Sequence, residues 1–369
     1  MSLLDTHLVD VGLAEDALYR RAMNPVLYKI RHKIRPYIDY ELPILEYIQS
    51  FHRNWLDQYF MYSANVGSHT FYVLMLPLPA WCGSLNLLRD LVQVLGLGIF
   101  LTGVVKDMLN LPRPTSPPLK RLTMSHYTSK EYGCPSSHSA NATSVSMVIL
   151  IHTLSSELSL FWKSTVILIT IGYWITLLLG RLYCGMHGLV DVLSGTLVGI
   201  LTVFVRMLTK PFWDSKVLQH STYWPLFIVG LYYSLIYFHP TPVEQCPCFE
   251  DTVAFIAVLM GLDLVGWTLA SPTTSTDYSS HPAKLSVPKS LSALVLRFLI
   301  GVPAVVLWKT LAKPLATSLV AKLRPMDSNQ QCFAFLRRTD TRIIVKFVVY
   351  GGIPFAAIFA KDIFEWLNI

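Results

Sequence analysis

Charge is what this chain has least of. Asp, Glu, Lys and Arg make up 14% of its 369 residues, while 53% are apolar, and the mean hydropathy is +0.45. A soluble domain carries roughly 25% charged residues. The shortage therefore excludes a water-coated globule, and the same figures exclude disorder, collagen-like repeats and coiled coil. Cysteine is sparse too. Cys82, Cys134, Cys184, Cys246, Cys248 and Cys332 are too few for a disulfide scaffold, and none shows the paired CxxC spacing of a zinc site. No internal repeat of the kind found in inverted-repeat transporters stands out. The N-terminus carries Asp5, Asp10, Glu15 and Asp16 without an early apolar core, so a cleaved signal peptide is not expected. What remains is an all-α integral membrane protein, a multi-span helical bundle.

The charge that is present is unbalanced, at net +7. On a membrane protein such an excess marks an anionic lipid surface, an anionic substrate or topology. No nucleic acid partner is expected, because much of the excess lies beside hydrophobic spans. A spanning helix needs about 20 mostly apolar residues. Nine stretches qualify, near 69–82, 87–105, 138–154, 164–180, 188–206, 223–239, 252–270, 291–309 and 343–361. Pro77 and Pro79 make the first short or kinked. Residues 1–68 precede the spans as an N-terminal segment. Within it, 24–60 mix Ile44, Leu45, Ile48 and Phe51 with Glu41, Glu46 and Arg53, a pattern that suits a helix lying on the membrane interface. Its Lys29, Arg31, Lys33 and Arg35 suit lipid headgroups or, equally, a solvated face. Residues 69–210 form the expected core and 211–369 the helices that complete the bundle. Two connections are long: 106–137, of the length usually kept for function, and 271–290, rich in Ser, Thr and Pro and expected to be a polar connector.

Three short segments fall at span ends predicted for one membrane face. Lys106 is followed seven residues later by Arg113-Pro114, just past the second span. Pro135-Ser136-Ser137-His138 opens the third. Arg181, then His187, then Asp191 lead into the fifth. Taken singly, each has a duller explanation: an interfacial histidine is usually a polar anchor, Arg-Pro a turn, and cations at helix ends commonly snorkel. Their coincidence is what points to chemistry. Lys106, Arg113 and Arg181 can neutralise the charge that phosphoryl transfer spreads over three equatorial oxygens, the arginines by forked contacts. Pro135 is a helix starter, so the amides of Ser136, Ser137 and His138 are expected to face an anion as free donors. His187 and Asp191, four residues apart, share a helical face. The carboxylate can then fix the imidazole tautomer and leave the other nitrogen to attack phosphorus. His138 is the natural acid for the departing alkoxide and later the base for water. No acidic cluster accompanies these residues, so no metal and no other cofactor is expected.

These motifs resemble those of the type 2 phosphatidic acid phosphatase (lipid phosphate phosphatase) superfamily. Its first motif, Lys, six residues, Arg-Pro, is Lys106 to Pro114. Its second, Pro-Ser-Gly-His, is Pro135 to His138 with Ser137 in place of glycine. Its third, Ser-Arg, five residues, His, three residues, Asp, runs from Gly180-Arg181 to Asp191 with Gly180 in place of serine. Lys106-Asp107, Ser116-Pro117-Pro118, Glu131-Tyr132 and Gly67-Ser68-His69-Thr70-Phe71-Tyr72 are similar to the sphingosine-1-phosphate and long-chain-base-1-phosphate phosphatase branch. The resemblance covers about 20–210. It implies a metal-independent enzyme of the endoplasmic reticulum membrane, working through a phosphohistidine on sphingoid base phosphates, with its active site in the lumen. Membrane lipids are the other expected partners, and a homo-oligomer is compatible with the chain. Two competing readings stay open, a phosphatase of glycerolipid or polyprenyl phosphates and a transporter or scramblase without catalysis.

Topology conflicts with the resemblance. On the proposed active-site face 20 Lys and Arg accumulate, against 8 on the other, and positive-inside reasoning would place that face in the cytosol. Other polar residues admit more than one reading. Asp263, inside the seventh span, is expected to pair with Arg297 or Lys346, to hydrogen-bond within the bundle, or to meet substrate. Gly195 and Gly199 make a small-xxx-small face. His152, His220 and His239 read as interface residues. The sequon at Asn141 is expected to stay unmodified.

Overall fold

The computed structural model describes residues 10–125, 128–215, 221–270, 290–323 and 341–369, and all regular structure among them is helical. His220, Cys332 and residues 271–289 of the polar connector lie outside the described residues. In chain order the helices are α1 (Asp16–Ala22), α2 (Pro25–Tyr40), α3 (Leu42–Gln49), α4 (Asn54–Ser63), α5 (His69–Met75), α6 (Leu78–Trp81), α7 (Leu85–Leu109), α8 (Ser137–Leu154), α9 (Leu160–Tyr183), α10 (Leu189–Trp213), α11 (Trp224–Tyr237), α12 (Cys248–Ala270), α13 (Leu291–Leu323), α14 (Arg342–Gly351) and α15 (Ile353–Trp366).

All nine predicted spans fall on helices, but not as nine full crossings. Among the described residues six are long and apolar enough to cross a membrane: α7, α9, α10, α12, α13 and the α14–α15 pair. The stretch 69–82 breaks into α5 and α6, because Pro77 and Pro79 cannot donate to a continuous ladder. α8 is 18 residues long, yet it buries Ser139, Asn141, Thr143, Ser144 and Ser146. Its polar residues are tolerable because it is enclosed by other helices.

α7 is the hub, packed against α8, α10 and α12. Within a bilayer the lipid is as apolar as leucine, so close packing rather than exclusion of water holds helices together. Gly195 and Gly199 supply that closeness. A Cβ at Gly195 would lie 2.3 Å from the Ser136 carbonyl, and one at Gly199 2.5 Å from that of Ala140. α10 therefore rides directly on α8. On the outside, Leu168, Ile169 and Leu179 of α9 and Leu299, Leu307 and Leu315 of α13 are exposed, as lipid-facing surfaces require.

The N-terminal helices are amphipathic, as expected. Tyr37, Tyr40, Tyr47 and Trp55 face outward while Ile38 and Leu45 are buried. Arg31 departs from its basic cluster. Its guanidinium turns inward, under the Tyr19 ring, and donates to the Asn110 and Gly12 carbonyls. It thereby places a positive charge at the carbonyl end of α7, where the helix dipole favours one. Arg35 instead pairs with Asp39 at 2.6 Å.

The other polar residues have structural partners. Asp263 accepts from Tyr232 (2.7 Å), Trp213 (3.1 Å) and Gln93 (3.3 Å), so hydrogen bonding within the bundle accounts for it. Lys346 pairs with Glu250 and Arg297 donates to Trp81 O. His152 is not a simple interface residue. It meets the fully buried Asp90 at 2.8 Å, beside Arg206 and Lys210. His239 is buried, 3.6 Å from Asp107. Asn141 is also buried. Cys246 and Cys248 are joined in a disulfide.

Candidate active site

The end of α7, the start of α8 and the turn between α9 and α10 converge, and the three sequence motifs converge with them. α7 stops at Asn110, which adopts the left-handed conformation (φ 51°) and returns its N–H to Lys106 O at 2.8 Å. Lys106 thus sits in the last turn. α8 begins at Ser137 with Ser136 as its cap, the Ser136 hydroxyl accepting from the Ser139 amide at 3.3 Å. The α9–α10 turn is closed by the Met186 and His187 amides on Arg181 O.

His187 is buried between two partners. Its Nδ1 lies 3.3 Å from Asp191 Oδ2, and its Nε2 lies 2.9 Å from Arg113 Nη1. A guanidinium can only donate. The network therefore assigns the proton to Nδ1, donated to Asp191, and a lone pair to Nε2. Burial, followed by the charge of Arg113, holds the imidazole well below the usual histidine range, so it is neutral at neutral pH. Asp191 also accepts from the Gly188 amide at 3.1 Å, which fixes the carboxylate against its own helix.

Arg113 is held on every side. Its Nε donates to Glu131 O (2.9 Å), Nη1 to Met186 O (2.6 Å) and Nη2 to Thr128 O (2.9 Å). Burial lowers it to about 10, which leaves it charged at neutral pH. Lys106 Nζ meets Glu131 Oε2 at 2.5 Å, and both side chains are almost wholly enclosed. Arg181 differs from both. It is buried, and among the described residues its guanidinium has no hydrogen-bond or ion-pair partner. It faces a cavity of about 640 Å³ that is also lined by Ser137, His138, His69, Glu131 and Asp251. An unpartnered buried cation is costly, and this one faces the cavity beside His69 and His138, while His187, Arg113 and Lys106 are not among the residues that line it.

Ser136 does not join that cavity. It is fully buried and its amide donates to Asp191 O at 2.9 Å. Only two of the three expected amides, those of Ser137 and His138, remain for an anion, while Ser136 ties α8 to α10. The glycine at 180, where the family has serine, has a packing reason: a Cβ there would lie 3.0 Å from the Phe60 ring.

Two further residues were not singled out from the sequence as part of the site. Glu131 appears there only within a branch resemblance, although it and Asp107 are the only carboxylates in the long cationic loop. Glu41 comes from the N-terminal segment, accepts from the Val190 amide at 2.8 Å, and lies so close to Gly188 that a side chain there would displace its carboxylate. It braces the start of α10 and, through it, Asp191. No local pattern announces that contact.

A second, apolar cavity of about 260 Å³ adjoins the first, sharing Val66 and Phe71 with it and continuing past Leu91, Val145, Ile149 and Tyr173. It lies among α5, α7, α8 and α9. Gly195 and Gly199 hold α8 close against α10, and the apolar cavity flanks α8, the third predicted span, on its α9 side. The arrangement as a whole, a polar chamber with a buried arginine and two histidines and an apolar side slot inside a helical bundle, defines a membrane enzyme acting on phosphate esters.

The PAP2 superfamily model matches residues 87–214, the stretch that holds all three motifs. Over 98% of the chain and 93% of the relative, it is 34% identical to the dihydrosphingosine 1-phosphate phosphatase of Saccharomyces cerevisiae. It is 37% identical to a dihydrosphingosine 1-phosphate phosphatase of Schizosaccharomyces pombe, over 81% of the chain and 72% of the relative. Identity to the sphingosine-1-phosphate phosphatase 2 of Mus musculus is 28%, over 81% and 84%. No solved structure matches. The chain belongs to the PAP2 superfamily.

Proposed function

We propose that this protein hydrolyses sphingoid long-chain base 1-phosphates to the free base and inorganic phosphate. The observation that carries the reading is Arg181, a buried guanidinium without a partner among the described residues, facing a chamber that is shared with His138 and adjoined by an apolar slot. The phosphate occupies the chamber against Arg181 and the amides of Ser137 and His138, and the hydrocarbon tail lies in the slot. His187 Nε2 attacks phosphorus as Arg113 passes its hydrogen bond from the imidazole to a phosphate oxygen. The P–N bond forms while the ester P–O bond breaks, and His138 gives its proton to the departing alkoxide. Water, deprotonated by His138, then attacks the phosphohistidine, and the P–N bond breaks to release phosphate. Asp191 stabilises the positive charge on His187 between the two steps. Lys106, Arg113 and Arg181 carry the charge neutralisation in this scheme, without a metal.

The site lies in the endoplasmic reticulum membrane with the chamber facing the lumen. The Lys and Arg bias of 20 to 8 opposes that orientation, and a glycosylation tag placed in the N-terminal segment reports it directly.

The decisive experiment follows phosphate release by the purified full chain in EDTA, offering dihydrosphingosine 1-phosphate, phosphatidate and a polyprenyl phosphate. Release from the first at ten or more times the rate from the others is expected. Preference for either alternative replaces the sphingoid reading with that substrate class. No release from any of them, together with lipid movement across vesicles, turns the reading to a transporter.

A further inference from the structure

A chamber built for a phosphate dianion should not contain a spare carboxylate, yet this one does. Two acids line it, Glu131 and Asp251. Glu131 is neutralised by Lys106 at 2.5 Å, with Arg113 at 3.9 Å. Asp251 has no lysine or arginine partner among the described residues. Among the described residues its one ion pair is with His69, Nδ1 to Oδ1 at 3.1 Å. The neighbouring Glu250 shows that a lysine was available to this turn of helix, since it pairs with Lys346 at 2.6 Å. Like charges a few ångströms apart repel by about 4 kcal/mol at an effective dielectric of 20. A carboxylate whose one partner is a histidine keeps its charge whenever that histidine is neutral, and in a phosphate chamber it then weakens binding unless the ligand itself brings a positive charge.

The position of Asp251 is held rather than incidental. It lies in the first turn of α12, and the chain leading into that helix is tied to the catalytic loop. Val243 N donates to Asn110 Oδ1 at 2.9 Å, and Glu244 N to the Tyr132 hydroxyl at 3.1 Å. His69 is fixed in turn by α5, whose cap is Ser68, and by an edge contact with the Phe255 ring at 5.0 Å. Both side chains keep part of their surface toward the chamber, 31% for His69 and 19% for Asp251. His69 also belongs to the Gly67–Tyr72 stretch, to which the phosphoryl-transfer scheme assigns no role.

We propose that Asp251, positioned by His69, binds the ammonium group of the substrate and so selects amino-bearing lipid phosphates over amine-free ones. A sphingoid base 1-phosphate carries its amine on the carbon next to the one that holds the phosphate ester. Anchoring phosphate on Arg181 leaves that amine in the same chamber as Asp251. A glycerolipid phosphate has no cation to offer the carboxylate. The proposal rests on the sphingoid reading above and deepens it.

The test compares dihydrosphingosine 1-phosphate with octadecyl monophosphate, which has the tail and the phosphate without the amine, using wild type, Asp251→Asn, Asp251→Glu and His69→Asn. The ratio of kcat/KM for the two substrates is independent of how much protein is folded. Wild type is expected to favour the amine by at least tenfold. Asp251→Asn should lower that ratio at least tenfold, Asp251→Glu should retain most of it, and His69→Asn should fall between. Equal loss toward both substrates, or an unchanged ratio, overturns the amine site. A wild type that hydrolyses both equally also overturns it while leaving the phosphatase intact. A wild type that rejects the sphingoid substrate and prefers phosphatidate fails the reading of function instead.

Discussion

At the scale of single residues, the site is a set of buried charges that hold one another in place. His187 is neutral because it is buried beside a cation, and neutrality is what a nucleophilic nitrogen needs. We expect His187→Ala to abolish phosphate release in a protein that remains folded; near-normal turnover would remove it from the nucleophile's place. His138→Ala should instead let acid-labile phosphoenzyme accumulate, detected with labelled substrate. The pH dependence follows from the same geometry. A histidine held below its unfolded value stays unprotonated to lower pH, so the acid limb of kcat/KM should lie below the ordinary histidine range. Stability has the matching sign. Below the unfolded pKa of about 6.5 the unfolded chain binds the proton first, so stability falls as pH falls. Arg181→Ala should weaken vanadate inhibition at least tenfold, because vanadate copies the five-coordinate phosphorus that Arg181 faces. Glu131→Ala leaves Lys106 buried without its partner and should destabilise by about 3–5 kcal/mol, read as a fall in Tm.

At the scale of elements, function depends on how closely α8 and α10 approach. Ser136 N to Asp191 O joins the two helix starts, and Gly195 lies against the Ser136 carbonyl. Gly195→Ala would push α8 outward by the width of a methyl group and move His138 relative to His187. It should cost activity and thermal stability together. Gly172 on α9 has nothing within 4 Å of an added Cβ, so Gly172→Ala should be neutral or slightly stabilising, given alanine's better helix propensity. Equal effects of the two substitutions in paired activity and melting measurements would mean that close approach is not what Gly195 provides.

At the scale of the molecule, the proposed scheme divides the substrate between the polar chamber and the apolar slot. Tail contacts lie far from phosphorus, so they contribute binding that is the same before and during the reaction. Shortening the tail should raise KM by a large factor and leave kcat nearly unchanged, about 0.8 kcal/mol for each CH₂ lost from a buried position. Steady-state kinetics over a series of chain lengths checks this, and a fall confined to kcat would detach the slot from the tail. The opposite end of α7 carries the cluster of Asp90, His152, Arg206 and Lys210, remote from the chamber by most of the helix length.

Composition and spacing by themselves determined a great deal. Scarce charge and long apolar runs leave no solution but a membrane bundle, because in lipid the backbone must satisfy itself within helices. The three motifs lie close to span ends in the chain, so local sequence already displays Lys106, Arg113, His138, Arg181, His187 and Asp191 as one set. Tertiary structure decided what distance in sequence conceals. Asp251 reaches the chamber from a helix sixty residues beyond Asp191, and Glu41 from one well before the core. Ser136 became a cap, Arg31 an internal partner of α7, and the apolar slot lies beside α9 while glycines bring α8 and α10 together. A periodic pattern reports which side of a helix is apolar; which neighbour that side meets, and which charge it must then neutralise, exists only once the helices are packed.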